Sequence, residues 1–254
     1  MKAAEQRVPL TDLYQGDHWA KAQALVPLAS KAGFTPELWV ASAGLGLRPV
    51  TDTAPAYAAT FSPRHADSVA ASPDDSARWW HCLQTDDSTR SLASLSQRGH
   101  MLLILSEAYA NVMASDLGNL ARGANETLLI GGAQSHQGIT RVPSDATLRH
   151  ALGGTLTSLN VRMAAAWLEH CSNARLTSPE TRTAWNTWTA QVSKRETYNR
   201  LPLTDEAVIE FIRTNHAQHP GHSRTRMLRE LRSQGLACEQ KRFAHLYAVT
   251  VEKQ

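Results

Sequence analysis

Cysteine is scarce: three in 254 residues, Cys82, Cys171 and Cys238, odd in number and far apart. That spacing suits neither a metal-ligand set nor a disulfide framework, and it is the usage of a reducing, cytoplasmic compartment. Long apolar runs are missing too. No stretch approaches the ~20 residues a membrane helix needs, and the polar opening, Met1 to Leu10, reads as carrying no signal peptide. Charge of one sign is also missing, and a formal net charge of +3 is too small to name a partner. The sharp catalytic motifs are absent as well: no P-loop, no Rossmann glycine fingerprint, no HExxH, no zinc-deaminase pattern, no Gly-x-Ser-x-Gly elbow. No metal or cofactor is expected.

What remains is an ordinary globular composition, 42% hydrophobic and 19% charged, long enough for one full domain and a small appendage. The periodicity predicts an amphipathic helix over 18–32, bent or ended by Pro27 and stopped before Gly33. Glu37 to Ala43 reads as a buried strand running into a turn at Gly44 and Gly46. Residues 48–73 read as a long ordered loop, and two helical stretches follow near 76–83 and 88–98. Met101 to Leu105 is a second apolar strand, Ser106 caps a helix over 107–122, and Thr127 to Ile130 is a third strand closed by Gly131-Gly132. Strand, helix and strand in that order imply an α/β fold, a parallel-type sheet flanked by helices. A helix from Leu159 to about His170 follows Gly153-Gly154. The expected division is an α/β domain over 1–175, a helical linker over 176–202 and a small basic module over 203–254.

In that module Thr204 caps a first helix to about His216 and Ser223 caps a second that Gly235 ends. A third starts near Glu239. Narrow apolar stripes (Val208, Phe211 and Ile212; Met227, Leu228 and Leu231; Phe243, Leu246 and Tyr247) need mutual packing, a three-helix, helix-turn-helix-like arrangement. Arg224, Arg226, Arg229 and Arg232 cannot all face that core, so they form a guanidinium surface suited to phosphates. Gln240, Lys241, Arg242 and His245 offer further base-edge or phosphate contacts. The competing reading is a solvated helix face. The tri-helical pattern tips the balance toward double-stranded DNA as partner.

For chemistry the sequence offers polar residues at strand ends, where ligands sit in open parallel sheets: Ser42 with Gly44, Ser106, and Gly131-Gly132. Asp116 shares the stripe of its helix with Tyr109, Val112 and Leu120. A carboxylate there is either paired with a loop amide or Arg, or used. Asn160 can read a base edge or bond local backbone. Arg162 can neutralise a phosphate or bridge to Glu169 or Asp116. In the long loop Tyr57 and Phe61 can stack on an extruded base or pin the loop to the core, with His65 and Asp67 nearby.

Five blocks together, LYQGDHW (13–19), LWVASAGLGL (38–47), PAYAATF (55–61), LLILSEAYANVMASDL (102–117) and GGTLTSLNVRMA (153–164), resemble those of the bacterial YaaA-like proteins of the DUF6884 type. The final SRTRMLRELRSQGLACEQKRFAHLY resembles an extension found on some of them. The resemblance implies protection of DNA or anti-phage defence, including a DNA glycosylase that excises glucosylated hydroxymethylcytosine from phage DNA. It carries a ligand site to Ser42, Gly44, Gly46, Tyr57, Asp116, Gly153, Gly154, Asn160 and Arg162. One departure stands out: related chains usually begin with a strand holding a Cys-x-x-(Lys/Arg)-Lys-like segment, and that strand is missing here. On this reading Asp116 supplies the carboxylate, Asn160 reads the base, Tyr57 stacks on it, and Gly153-Gly154 with Arg162 hold a phosphate. The alternatives are a non-catalytic DNA-binding or protection protein and a nucleotide N-glycosidase or transferase acting on small molecules.

Overall fold

A computed structural model describes residues 7–63, 65–84, 90–120, 125–195 and 200–251. The chain divides into two compact units, 1–195 and 196–254. The first opens with β1 (Val8–Pro9), α1 (Leu10–Leu13) and α2 (Asp17–Lys31), followed by β2 (Trp39–Ser42), β3 (Gly46–Pro49) and β4 (Thr53–Ala54). Pro27 neither ends nor shortens α2, which buries Trp19 and Leu25 and stops only at Gly33, φ +95°. Next come α3 (Pro73–Gln84), α4 (Leu92–Arg98), β5 (Met101–Leu105), α5 (Glu107–Val112), α6 (Ala114–Asn119), β6 (Thr127–Gly131) and β7 (Thr140–Val142). α7 (Arg149–Leu152), α8 (Leu159–Glu169) and α9 (Pro179–Val192) complete the unit.

The fold is mixed α/β. β5, β6 and β7 form a three-stranded sheet in that order, with parallel pairing at both seams, Leu103 opposite Leu129 and Leu129 opposite Arg141. Leu102, Leu128, Ile104 and Ile130 face α2, α8 and α9, while Met101, Leu103, Leu105 and Leu129 face α3, α5 and α6. Two separate cores on the two faces are what period-2 strands between helix layers require.

Three expectations change. The strand at Trp39–Ser42 is not part of the parallel sheet; it pairs antiparallel with β3, Val40 opposite Arg48. The helix expected over 107–122 breaks at Met113 into α5 and α6, and its remainder, 121 and 122, lies outside the described residues. The helix assigned to a linker belongs to the first unit. Trp185 of α9 is buried 5.2 Å from Trp167, and Trp188 lies tilted 5.2 Å beyond it, half-buried against the same core.

The second unit holds α10 (Asp205–Gln218), α11 (Arg224–Ser233) and α12 (Gln240–Val251), with a two-residue parallel ladder of β8 (Leu201–Pro202) and β9 (Leu236–Ala237). Thr204 accepts from Ala207 N and Ser223 from Arg226 N, the two expected caps. Val208, Ile212, Met227, Leu231 and Phe243 are fully buried together. Removing the Phe243 ring leaves a void this small core cannot fill. Phe243→Ala is expected to cost about 3–5 kcal/mol and to unfold the unit first in a urea titration.

No helix among the described residues is long and apolar enough to cross a membrane.

Candidate functional site

The carboxyl end of β5 opens on a cavity of about 1010 Å³ whose rim carries Tyr14, His18, Ser42, Tyr57, Ser106 and Tyr109. That is the edge of a parallel sheet at which ligands sit. Tyr57 is held by contacts on three sides. Its hydroxyl shares hydrogen bonds of 2.5 Å with Ser42 Oγ and with Tyr14 Oη, and its ring lies over Gly44. A Cβ at Gly44 would stand 2.6 Å from the ring, so glycine is required for the tyrosine to lie down. Ser42 Oγ also accepts from Gly44 N and Leu45 N at 3.1 Å, which anchors the network to the hairpin turn. Gly46, φ +75°, closes that turn against Leu83 and does not reach the cavity.

Burial pushes the Tyr57 phenol well above the ordinary tyrosine range; the Ser42 bond opposes that shift and the Tyr14 bond adds to it. Tyr109 is raised for the same first reason, burial. A raised folded value favours the neutral phenol, so the associated stability is intact below the unfolded-chain value, about 10, and is lost as pH rises through the folded one. Urea midpoints are therefore expected to fall above that pH, and Tyr57→Phe is expected to lessen the fall. An equal fall in the variant would place the titration elsewhere.

Phe61 does not line the cavity. It is buried edge-on to Tyr109 (5.1 Å) and Trp80 (6.2 Å), and it pins the long loop to the core. His65 and Asp67 pair with each other at 3.4 Å.

Asp116 lies outside the cavity. The helix is interrupted at Met113 just ahead of it, and its carboxylate accepts from the Nε1 of the buried Trp80 at 2.7 Å. Asn160 sits at the carboxyl edge of the sheet, but its amide is in use. Nδ2 donates to Leu105 O at 3.1 Å and Oδ1 accepts from Ser144 at 2.6 Å. Arg162 is likewise engaged: it donates to Ser158, to Leu152 O and to both oxygens of Asp17, at 2.8 and 3.0 Å. It bridges to neither Asp116 nor Glu169. Its guanidinium lies directly under Gly154, where a Cβ would meet Nε at 2.4 Å. Gly153 and Gly154 are exposed in left-handed conformations, φ +70° and +75°. The hydrogen bond from Arg162 holds the Asp17 carboxyl below the usual range. Asp17 therefore stays ionised one residue from the rim at His18, whose Nδ1 is 3.3 Å from Thr157 O.

Sequence reasoning passed over Tyr14, Asp17, His18 and Tyr109. All four lie inside the quoted blocks, yet no spacing rule marks them.

In the second unit a separate cleft of about 340 Å³ is lined by Arg200, Arg224, Arg229, Arg232, Gln240 and Phe243, with no carboxylate in its wall among the described residues. Arg232 also donates to Cys238 O at 3.1 Å. Two of the expected DNA contacts are committed elsewhere: Arg226 faces Glu230 at 3.5 Å on its own helix, and Arg242 pairs with Asp205 at 2.5 Å. Lys241 is exposed beside Arg242.

No protein-family model, no curated protein and no solved structure matches this chain.

Proposed function

We propose that the chain is a DNA N-glycosylase. The second unit, as a helix-turn-helix-like module, holds the duplex. The first accepts an extruded, modified base, in the resembling family a glucosylated hydroxymethylcytosine, and hydrolyses its bond to the sugar, the hydroxyl of a water going to the sugar C1′ and its proton to the departing base. The observation that carries this reading is the tyrosine rim at the carboxyl end of β5. Flat rings beside hydroxyls suit a base that has left its stack and carries added sugar oxygens.

Bond cleavage gives the sugar oxocarbenium character, which a carboxylate held ionised can stabilise. Asp17 adjoins His18 of the cavity lining, although like Asp116 it does not itself line the cavity, and on that proximity it replaces Asp116 as the proposed carboxylate. Asp17→Asn is expected to lower abasic-site formation by about 10²-fold or more. Asp116→Asn keeps an oxygen acceptor for Trp80 and is expected to leave turnover unchanged. The reverse ranking, measured as aldehyde-reactive sites in modified phage DNA, returns the role to Asp116.

One observation favours a second reading, a DNA-binding protein without catalysis: the side chains of Asp116, Asn160 and Arg162 are all occupied by partners in the fold. It predicts DNA affinity that Asp17→Asn and Tyr57→Phe leave untouched and no abasic sites on any substrate. Turnover confined to free nucleotides identifies the small-molecule alternative.

A further inference from the structure

Every residue of β5, from Met101 to Leu105, lines the large cavity, and so does every residue of β2 on the opposite wall. A cavity against the face of a strand meets alternate residues; one that meets them all runs along the strand's edge. The packing agrees. Leu102 and Ile104 belong to one core, Met101, Leu103 and Leu105 to the other, so the cavity lies between them, in the plane of the sheet. Among the described residues β5 bonds β6 alone and β2 bonds β3 alone. Of β3 only Leu47 reaches the cavity, so the edge that β2 turns toward it is the one away from β3. Glu37 and Arg98, just ahead of the two strands, are joined at 2.9 Å, which aligns their starts.

The result is a slot between two strand edges that run in the same direction. Backbone N–H and C=O groups on both walls have no ladder partner among the described residues, inside a largely apolar enclosure. Such groups are costly to leave unmet. A compact ligand cannot satisfy two rows of donors and acceptors repeating along about 17 Å, the length of a five-residue strand.

We propose that this slot is the seat of an extended peptide strand that none of the described residues supplies, running parallel to β2 and β5. Its chemistry follows from its place. A strand covered on both faces is a near-continuous apolar, β-branched run of about five to seven residues, without proline. This inference does not depend on the glycosylase reading, since it concerns the interior below the rim.

The test uses the full chain and a synthetic Val/Ile hexapeptide flanked by lysines, with a proline-substituted copy as control. Binding is read from the fluorescence of Trp19 and Trp39, both of which line the cavity, and from amide exchange. The expected result is saturable binding of the first peptide alone, with exchange slowed at least about tenfold at Leu102, Ile104, Trp39 and Ala41, the strand residues whose amides point away from β6 and β3. The same peptide tethered ahead of Met1 by a flexible linker is expected to raise the melting temperature, whereas the tethered proline copy is not. The proposal is overturned if those amides are already slow without peptide, if the two peptides bind alike, or if octanoate protects them equally. It is overturned also if neither the free nor the tethered peptide changes exchange or melting.

Discussion

Replacing Arg224, Arg229 and Arg232 together by alanine is expected to weaken DNA binding about 10²–10³-fold at 0.1 M salt and to flatten the salt dependence by about two to three units of slope. These three share one cleft with no carboxylate in its wall among the described residues, so their charge faces phosphate oxygens there. Arg226→Ala combined with Arg242→Ala removes nearly as much formal charge. It is expected to change binding less than about fivefold, because Glu230 and Asp205 already hold those guanidiniums. The contrast matters more than either number. Equal losses from the two sets would mean that net charge, not the cleft, attracts DNA. Base preference is expected to survive the triple change, since phosphate contacts position the duplex without reading it. Fluorescence anisotropy across a salt series measures all three quantities.

Gly131→Ala is expected to destabilise the first unit by about 4 kcal/mol. Its φ of +100° disfavours any side chain, by about 1–3 kcal/mol. A Cβ there would stand 2.1 Å from Leu105 O and 2.4 Å from Asn160 Nδ2. Neither can retreat: the first is strand backbone, and the second is an amide tied between Leu105 and Ser144. Overpacking of that kind adds about 1–3 kcal/mol. Gly118→Ala is the control. It lies in α6 with nothing within 4 Å, and it is expected to be neutral or to stabilise by up to about 1 kcal/mol. Urea midpoints decide it, and a loss below 1 kcal/mol for Gly131→Ala would show that the carboxyl edge of the sheet is not rigid.

Local chemistry made parts of this fold readable. β5 was bounded correctly because five apolar residues lie between a polar flank and a capping serine, and the caps at Thr204 and Ser223 are one-residue signals. β7 escaped notice because three residues, Thr140–Val142, carry too little pattern to stand out from a loop. Asp116 reads in the sequence as a carboxylate either paired or used, and its partner, Trp80, lies 36 positions away, where no spacing rule reaches. The Arg226–Glu230 pair was open to inspection as an i,i+4 spacing, whereas Arg242–Asp205 and Arg162–Asp17 join residues 37 and 145 positions apart. The tyrosine rim is likewise assembled from distant segments, so only Tyr57 drew attention in advance.

The central claim is base excision at that rim. Intact protein incubated with duplex DNA from a phage carrying glucosylated hydroxymethylcytosine, beside unmodified DNA of the same sequence, tests it most directly through the count of abasic sites. The account predicts abasic sites in the modified DNA only, sharply reduced by Asp17→Asn. Tight binding to both DNAs with no abasic site in either would contradict it and leave a protein that holds DNA without cutting it.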